Sequence, residues 1–355
     1  MAKSILIIGA GPAGLTGTIE LTRRKIHCHI IDKKDSPSTL SRAVDVNQHS
    51  LEIMEKSKIT EKLLKQGSKI QGGDFHDKNN KTIGQLNFKK IKDDKNFLLA
   101  LPQDQTEEIM RTHLAENNIH IEYKSEVINI ELKNNQAEVV ILKGAEKTTK
   151  TFDLVIAADG AHSAIRQKLN INFIGHDYKD LWSIADFEAP NLPYEKNHAH
   201  VFFRGHGQVS FAIRIGQDRY RGVSNTKDTI ASLPENIKVT RIHRASSFKI
   251  SVRQAQTYQK GCVYLVGDAA HVHSPAGGRG MNLGIEDSYI LAKLIKEDRL
   301  EDYTKLRHKV GKKIINFSER LVFMATAKNP FLVLLRQIIL KIATKFSILE
   351  TILIK

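Results

Sequence analysis

The run from Ser4 to Ile8 is short, apolar and followed by glycines, which is the pattern of a buried strand. From Pro12 to about Arg24 the apolar positions recur at helical spacing, and Ile26 to Asp32 reads as a strand again, so the chain opens as β-α-β. Two further buried strands end in glycine turns: Phe152 to Ala158 before Asp159-Gly160, and Cys262 to Val266 before Gly267-Asp268. Such strands belong to a parallel sheet, and ligands of these sheets sit at the end where the turns lie. Between them, Ile70 to Leu99 and Leu181 to Ser251 alternate polar and apolar residues, with turns at Gly205-His206-Gly207 and Gln217-Asp218. That alternation predicts antiparallel strands of a second domain inserted into the first. After Asn282 the pattern is helical to the end, with a break near Asn329-Pro330, because proline disfavours helix at the residue before it.

The 355 residues suffice for one large or two modest domains whose core needs no disulfide. Cys28 and Cys262 both lie in apolar, strand-like runs, where a free thiol acts as a small hydrophobe; this usage suits a reducing cytosol. The apolar run after Met1-Ala2-Lys3-Ser4 is too short for a signal peptide and no small-residue cleavage site follows it, so secretion is not expected. No stretch reaches about 18 apolar residues, so no transmembrane helix is expected either. Lys and Arg number 54 against 39 Asp and Glu, a formal +15, which taken alone fits nucleic acid, anionic lipid or an anionic cofactor. The lysines are scattered, as in Lys56 to Lys69 and Lys89 to Lys95, without the interleaved aromatics of single-strand binders. The excess therefore reads as a solvated basic surface, and no nucleic-acid partner is expected.

Three segments carry chemistry. In Gly9-Ala10-Gly11-Pro12-Ala13-Gly14, Gly9 permits the tight turn, Gly11 lets backbone approach a pyrophosphate, and Gly14 lets the helix pack on the strand. The helix N-terminus offers unpaired N–H groups to the phosphates. Asp32, at the tip of the next strand with Lys33 beside it, is placed to accept hydrogen bonds from an adenosine ribose. The motif specifies a dinucleotide and leaves FAD and NAD both open. The second segment, Ala157 to Arg166, is by itself a strand end and a turn, with Ser163 as a helix cap. The third runs from Gly267-Asp268-Ala269-Ala270-His271 through Ser274-Pro275-Ala276-Gly277-Gly278-Arg279-Gly280-Met281-Asn282. There Asp268 leaves a strand as an acceptor for hydroxyls, a glycine-rich loop is shaped for a flat ring, and a helix beginning near Met281 turns its positive end to whatever the loop holds.

In this order and at these distances the three segments resemble the GxGxxG, DG and GD fingerprints of class A flavoprotein monooxygenases, the para-hydroxybenzoate hydroxylase and ubiquinone-biosynthesis hydroxylase superfamily. The resemblance spans roughly residues 4 to 295. It implies a Rossmann-like FAD-binding domain (1–69, 100–178 and 256–327), an inserted, mainly antiparallel substrate domain (70–99 and 179–255) and a helical tail (328–355). It also implies that Asp32 binds the FAD ribose, that Asp268 binds the ribityl chain, and that Pro275 through Asn282 line the isoalloxazine, including Gly278, Gly280 and Met281. Ser41-Arg42-Ala43 is similar to the family's mobile arginine segment and Gln103 to its flavin-contacting glutamine; Asp159 and Arg166 would serve FAD and the passing nicotinamide. Arg42 and Pro275 are the candidates nearest the chemistry, which the flavin itself carries. The implied reaction uses NAD(P)H and O2 to hydroxylate an aromatic, polyketide or quinone-like molecule through a flavin hydroperoxide.

A reductase or dehydrogenase on the same scaffold is the alternative, and a non-catalytic basic protein that binds membranes or nucleic acid is a second. His271 and His273 lack metal-ligand spacing and are given structural roles; no metal is expected. Phe202, Phe203, Arg204, Phe211 and Arg214 lie on strands that could face a substrate, with Phe203 on the face opposite Phe202 and Arg204. No second glycine fingerprint marks a separate NAD(P)H fold, and no long extension follows the helical tail. In that tail Arg336, Lys341 and Lys345 recur at helical spacing, so a basic stripe is expected to face water while an apolar face seeks cover. The cover is either the protein itself or a partner subunit in a homodimer, or else an anionic membrane surface reached through 330–355. The expected location is cytoplasmic, at the membrane periphery in the second case.

Overall fold

A computed structural model describes residues 3–39, 41–90 and 96–345, and side chains to residue 342. Its first sheet is the one the opening pattern predicts. Ile5–Ile8 pairs in parallel with His29–Ile31 and with Leu154–Ala157, which pairs in parallel with Val263–Leu265; the edge strand Gln259–Lys260 runs antiparallel. Every residue of Ile5–Ile8 and Leu154–Ala157 is buried, as uniformly apolar strands require. The helix Pro12–Arg23 packs on this sheet and against Gln103–Glu116 and Gly280–Glu297. An antiparallel meander that the sequence pattern did not single out, Ser125–Lys133, Gln136–Lys143 and Glu146–Phe152, lies beside it.

The second sheet has eight strands. Phe173–Glu188 and Arg241–Ala255 pair antiparallel along most of their length and carry the chain from one sheet to the other. The expected boundary at 178/179 therefore falls inside a continuous strand, because two long strands and no linker join the two parts. One pair departs from the antiparallel expectation: His198–Gly205 lies parallel to Gly72–His76, which a connection of this length permits. Alternation divides the sheet's faces, with Phe202 in a cluster with Phe187 and Tyr220, and Phe203 in another with Trp182 and Ile250. His271–Val272 adds to the same sheet beside Arg253 and Gln254, so the third motif joins both sheets.

The C-terminal helices break twice. Asp298 adopts a left-handed φ of 53° at the end of Gly280–Glu297, and Asp302–Ala325 gives way to the tail helix Pro330–Lys345. That helix packs on the strand Thr82–Asn87 and on Asp302–Ala325, but not in the orientation its pattern suggested. Lys341 is exposed as expected, but Arg336 is buried, and Phe331, Leu334, Ile338 and Ile342 are exposed. The guanidinium turns inward because it stacks on the Phe203 ring, 3.7 Å from its centroid, and donates to the carbonyls of Met324 and Ala325. The Lys345 side chain and the 346–355 part of the proposed membrane segment lie outside the described residues. Cys28 and Cys262 are unpaired, and burial pushes both thiols up, Cys28 to about 12, which suppresses their reactivity.

Candidate functional site

The three motifs meet around one cavity of about 1390 Å³ that runs from the glycine turn to the eight-stranded sheet. A single drug-sized ligand fills roughly 300–1000 Å³, so the cavity has room for a dinucleotide and a second molecule. At its first end, Gly9 has φ +105°, and a Cβ there would collide with the Ala158 carbonyl, while one on Gly14 would collide with the Gly9 carbonyl. Those two glycines are explained by the protein's own packing. Gly11 is not: its φ is −82°, and a Cβ would meet no protein atom within 4 Å. The space beside it is open to the cavity, which Gly11 lines. The helix Pro12–Arg23 begins there without a side-chain cap, leaving N–H groups for phosphate oxygens. Asp32 accepts the Ala10 amide at 2.7 Å and the Lys34 amide at 2.9 Å, which locks the turn; Asp32 and Lys33 both line the cavity with Gly11, Pro12 and Ala13.

The third motif forms the middle of the cavity. Gly267 has φ +58°, and a Cβ on it would press on Ala13 at 3.0 Å, so the first and third motifs touch. The Asp268 side chain is accessible only because it faces the cavity. Around it the protein is dense enough that desolvation raises its pKa, against the pull of His271 and Arg42. Pro275, Gly278, Gly280 and Met281 line the wall, and helix Gly280–Glu297 opens there, also without a side-chain cap. Asn282 does not line it. Its amide donates to the Asp45 carboxylate and carbonyl and to the Gly278 carbonyl, and its oxygen accepts the Asn47 amide. Asn282 thus holds the loop from behind, a correction to its expected place at the ring.

Arg42 and Gln103 line the cavity, and Arg42 lies close enough to Asp268 for its charge to be felt there. The Gln103 amide is engaged by the protein, accepting from the Ala43 amide and donating to Glu107. Asp159 accepts the Ile165 amide and has its other oxygen unpaired, an acceptor left for a ligand; burial raises its pKa. Arg166 is committed differently from expectation. It donates to the Ala161 and Ala269 carbonyls and stacks on Phe173, so it ties the second motif to the third. His271 is buried and bonded to Asp287 at 2.6 Å; His273 lines the cavity, and burial lowers its pKa to about 4, so the ring facing a ligand is neutral.

Three features escaped the sequence reading. Arg221 is fully buried and grips Asp186 through two bonds of 2.7 and 2.9 Å, while its third nitrogen donates to Ser41 and the Ala43 carbonyl. Arg244 donates to Asp186 and to the Ser41 and Thr39 carbonyls, so two guanidiniums on the inserted sheet hold the segment that carries Arg42. A charged Asp186 inside the apolar run Trp182 to Phe187 was the available signal. Second, Asp74, His76 and His200 converge behind the sheet at metal-ligand separations. Hydrogen bonds link them: His76 Nε2 meets His200 Nδ1 at 3.3 Å, His200 Nε2 reaches the Glu195 carbonyl, and His198 meets Asp74.

The third is Asp45, buried beside Asn282 and Gly278. Burial pushes its carboxyl up to about 7, with Arg279 and Asn282 pulling down. A folded pKa above the unfolded value of about 4 means stabilisation present below that value and lost as pH rises through about 7. Asp45→Asn is therefore expected to reduce the fall in Tm between about pH 5 and about pH 8 by a few degrees. Calorimetry of both proteins checks it, and identical pH slopes would contradict it.

Comparison with known proteins agrees with this geometry. The FAD binding domain family matches residues 2–223 and 218–318. Among similar proteins, 6-methylpretetramide 4-monooxygenase of Streptomyces rimosus is 28% identical over 350 residues, 92% of this chain and 62% of that one. Pentachlorophenol 4-monooxygenase of Sphingobium chlorophenolicum is 28% identical over 344 residues, 88% and 63%. The chain thus spans a little under two thirds of these relatives' length. In fold it matches p-nitrophenol 4-monooxygenase of Pseudomonas putida DLL-E4 with a TM-score of 0.90 at 18% identity, covering 99% of this chain and 97% of that one. Matched by that family over well more than half of its length, the chain belongs to the FAD binding domain family of class A flavoproteins.

Proposed function

We propose that the protein is an NAD(P)H-dependent FAD monooxygenase that places one atom of O2 on an aromatic, polyketide or quinone-like small molecule. The observation that carries this reading is the continuity of the cavity: the dinucleotide cradle opens directly onto a chamber walled by Phe75, Trp182, Phe203, Phe211 and Phe248 of the inserted sheet. Such walls take flat apolar rings and exclude water from them. The similar proteins named 6-methylpretetramide 4-monooxygenase and pentachlorophenol 4-monooxygenase support the same reading. FAD held there would supply the redox chemistry, hydride acceptance from NAD(P)H and activation of O2. The chain's part is positional. The Pro12 helix end and Gly11 would receive the pyrophosphate, Asp32 the ribose and Asp268 the ribityl hydroxyls, while the uncapped Gly280 helix end would favour negative charge on the ring. Arg42, beside Asp268 and held through Ser41 and Ala43, is placed to meet the nicotinamide coenzyme. The overall balance is NAD(P)H, a proton, O2 and substrate giving NAD(P)+, water and hydroxylated substrate. A panel of phenols and polycyclic quinones scored for stimulated NAD(P)H oxidation tests it; oxidation that no substrate stimulates would favour the reductase alternative.

The tail supports a location. Phe331, Leu334, Ile338 and Ile342 form one exposed stripe beside Lys328 and Lys341, and no single described helix is long and apolar enough to cross a membrane. An apolar stripe with basic neighbours suits the interface of an anionic membrane, and we place the protein there, on the cytoplasmic side. Co-sedimentation with anionic liposomes is expected to fall at high salt and to be lost in a Phe331→Ser, Ile338→Ser, Ile342→Ser variant. A concentration-dependent dimer that ignores liposomes would assign the stripe to a second copy instead.

A further inference from the structure

Among the described residues four arginines are buried: Arg166, Arg221, Arg307 and Arg336. Three have an acid at hand. Arg221 pairs with Asp186 at 2.7 Å and Arg307 with Asp287 at 2.6 Å, and Arg166 feels the charge of Asp159. Arg336 has none: no carboxylate among the described residues forms an ion pair with it, and burial alone displaces its pKa, downward. Its position makes that absence informative. It comes from the tail helix, beyond the residues 2–318 that the family match covers, and it lines the substrate end of the cavity with Phe203, Ile339 and Leu340. Phe203 covers one face of the guanidinium. One nitrogen, Nη1, donates to the Met324 and Ala325 carbonyls at 3.3 and 2.9 Å, at the end of helix Asp302–Ala325, where the dipole offsets part of the charge. The Nε–H has no partner.

A buried cation without an anion is unfavourable. A guanidinium fork with a free donor, clamped by a ring and by two carbonyls, is preorganised for a planar oxyanion. We propose that Arg336 anchors a negatively charged group of the substrate, so that the aromatic molecule accepted by this cavity carries a phenolate, a carboxylate or a comparable oxyanion. The inference rests on reading this chamber as the substrate end of a flavoenzyme. It assigns the tail helix to substrate selection, with Arg336 closing the chamber opposite the flavin cradle.

The test is equilibrium dialysis of the FAD-loaded full chain against matched pairs of probes, 4-hydroxybenzoate with 4-hydroxybenzamide and 4-nitrophenolate with 4-nitroanisole. The wild type is expected to bind at least one anion about tenfold more tightly than its neutral partner, as a charge-assisted hydrogen bond provides. Arg336→Met should erase that preference and leave the neutral probe within about threefold. Arg336→Lys, which keeps the charge and loses the fork, should retain a reduced preference, and it decides the matter if the methionine variant does not fold. Equal binding of both members of every pair, binding of neither, or a preference that survives in Arg336→Met overturns the proposal. The FAD spectrum of the same sample separates the two readings. Protein that holds FAD without anion preference refutes the anchor alone, whereas protein that cannot hold FAD refutes the flavoenzyme reading whatever the dialysis shows.

Discussion

Gly11→Val is expected to fold like the wild type and to lose FAD. A valine Cβ at that position meets no protein atom within 4 Å, and the backbone there, at φ −82°, accepts any residue. The FAD-free protein should therefore keep its Tm within about 2 °C, as substitutions outside packed regions do. The branched side chain would occupy the space where backbone and pyrophosphate must meet, so FAD affinity should fall by about 100-fold or more. Gly14→Val provides the contrast, because its Cβ would strike the Gly9 carbonyl and disturb the fold itself. Differential scanning calorimetry of the FAD-free proteins and fluorescence titration with FAD check both halves. A Gly11→Val protein that binds FAD normally would remove the glycine turn from the pyrophosphate site.

Arg221→Leu is expected to be the most destabilising single change on the inserted sheet. The substitution leaves buried Asp186 with Arg244 hydrogen-bonded to it and Arg219 at 4.0 Å, and breaking a buried pair from one side costs about 3–5 kcal/mol. Burial alone would raise the Asp186 pKa, but the Arg221 and Arg244 guanidiniums outweigh it and hold the carboxyl below its ordinary value. A depressed folded pKa contributes stability above the unfolded value of about 4 and loses it as the pH falls further. The variant should thus be less stable at neutral pH and less sensitive to acid below about pH 4 than the wild type. Urea denaturation at several pH values measures both. Because Arg221 also holds Ser41 and the Ala43 carbonyl, FAD reduction should slow even where the variant remains folded; an unchanged reduction rate would show that the clamp does not position Arg42.

The sequence disclosed what lies close together along the chain. Gly9, Gly11, Gly14 and Asp32 belong to one β-α-β unit, and Gly267 through Met281 form one continuous loop, so their pattern could be read directly. What it hid were contacts between distant segments. Asn282 looked like part of the ring wall, yet its amide is consumed by Asp45, Asn47 and Gly278, which only the folded sheet brings to it. Asp186, Arg221 and Ser41 meet across the junction of the two sheets, and only the oddity of an acid in an apolar run pointed toward them. The tail was misread for a physical reason. Amphipathic patterning assigns every cation to water, but a long arginine can bury its stem and turn its head toward an aromatic ring and a helix end. Arg336 does so, and the helix is rotated accordingly, leaving Phe331, Leu334, Ile338 and Ile342 outside.

One cavity is expected to hold FAD and an aromatic substrate so that oxygen passes between them. The most direct measurement is a turnover of the FAD-loaded protein with NAD(P)H, a phenolic substrate that stimulates its oxidation, and isotopically labelled O2, with the product examined by mass spectrometry. The product is expected to carry one labelled oxygen atom for each NAD(P)H oxidised in a coupled turnover. NAD(P)H consumption that yields only reduced substrate, or an oxygenated product whose new oxygen comes from water, would contradict it.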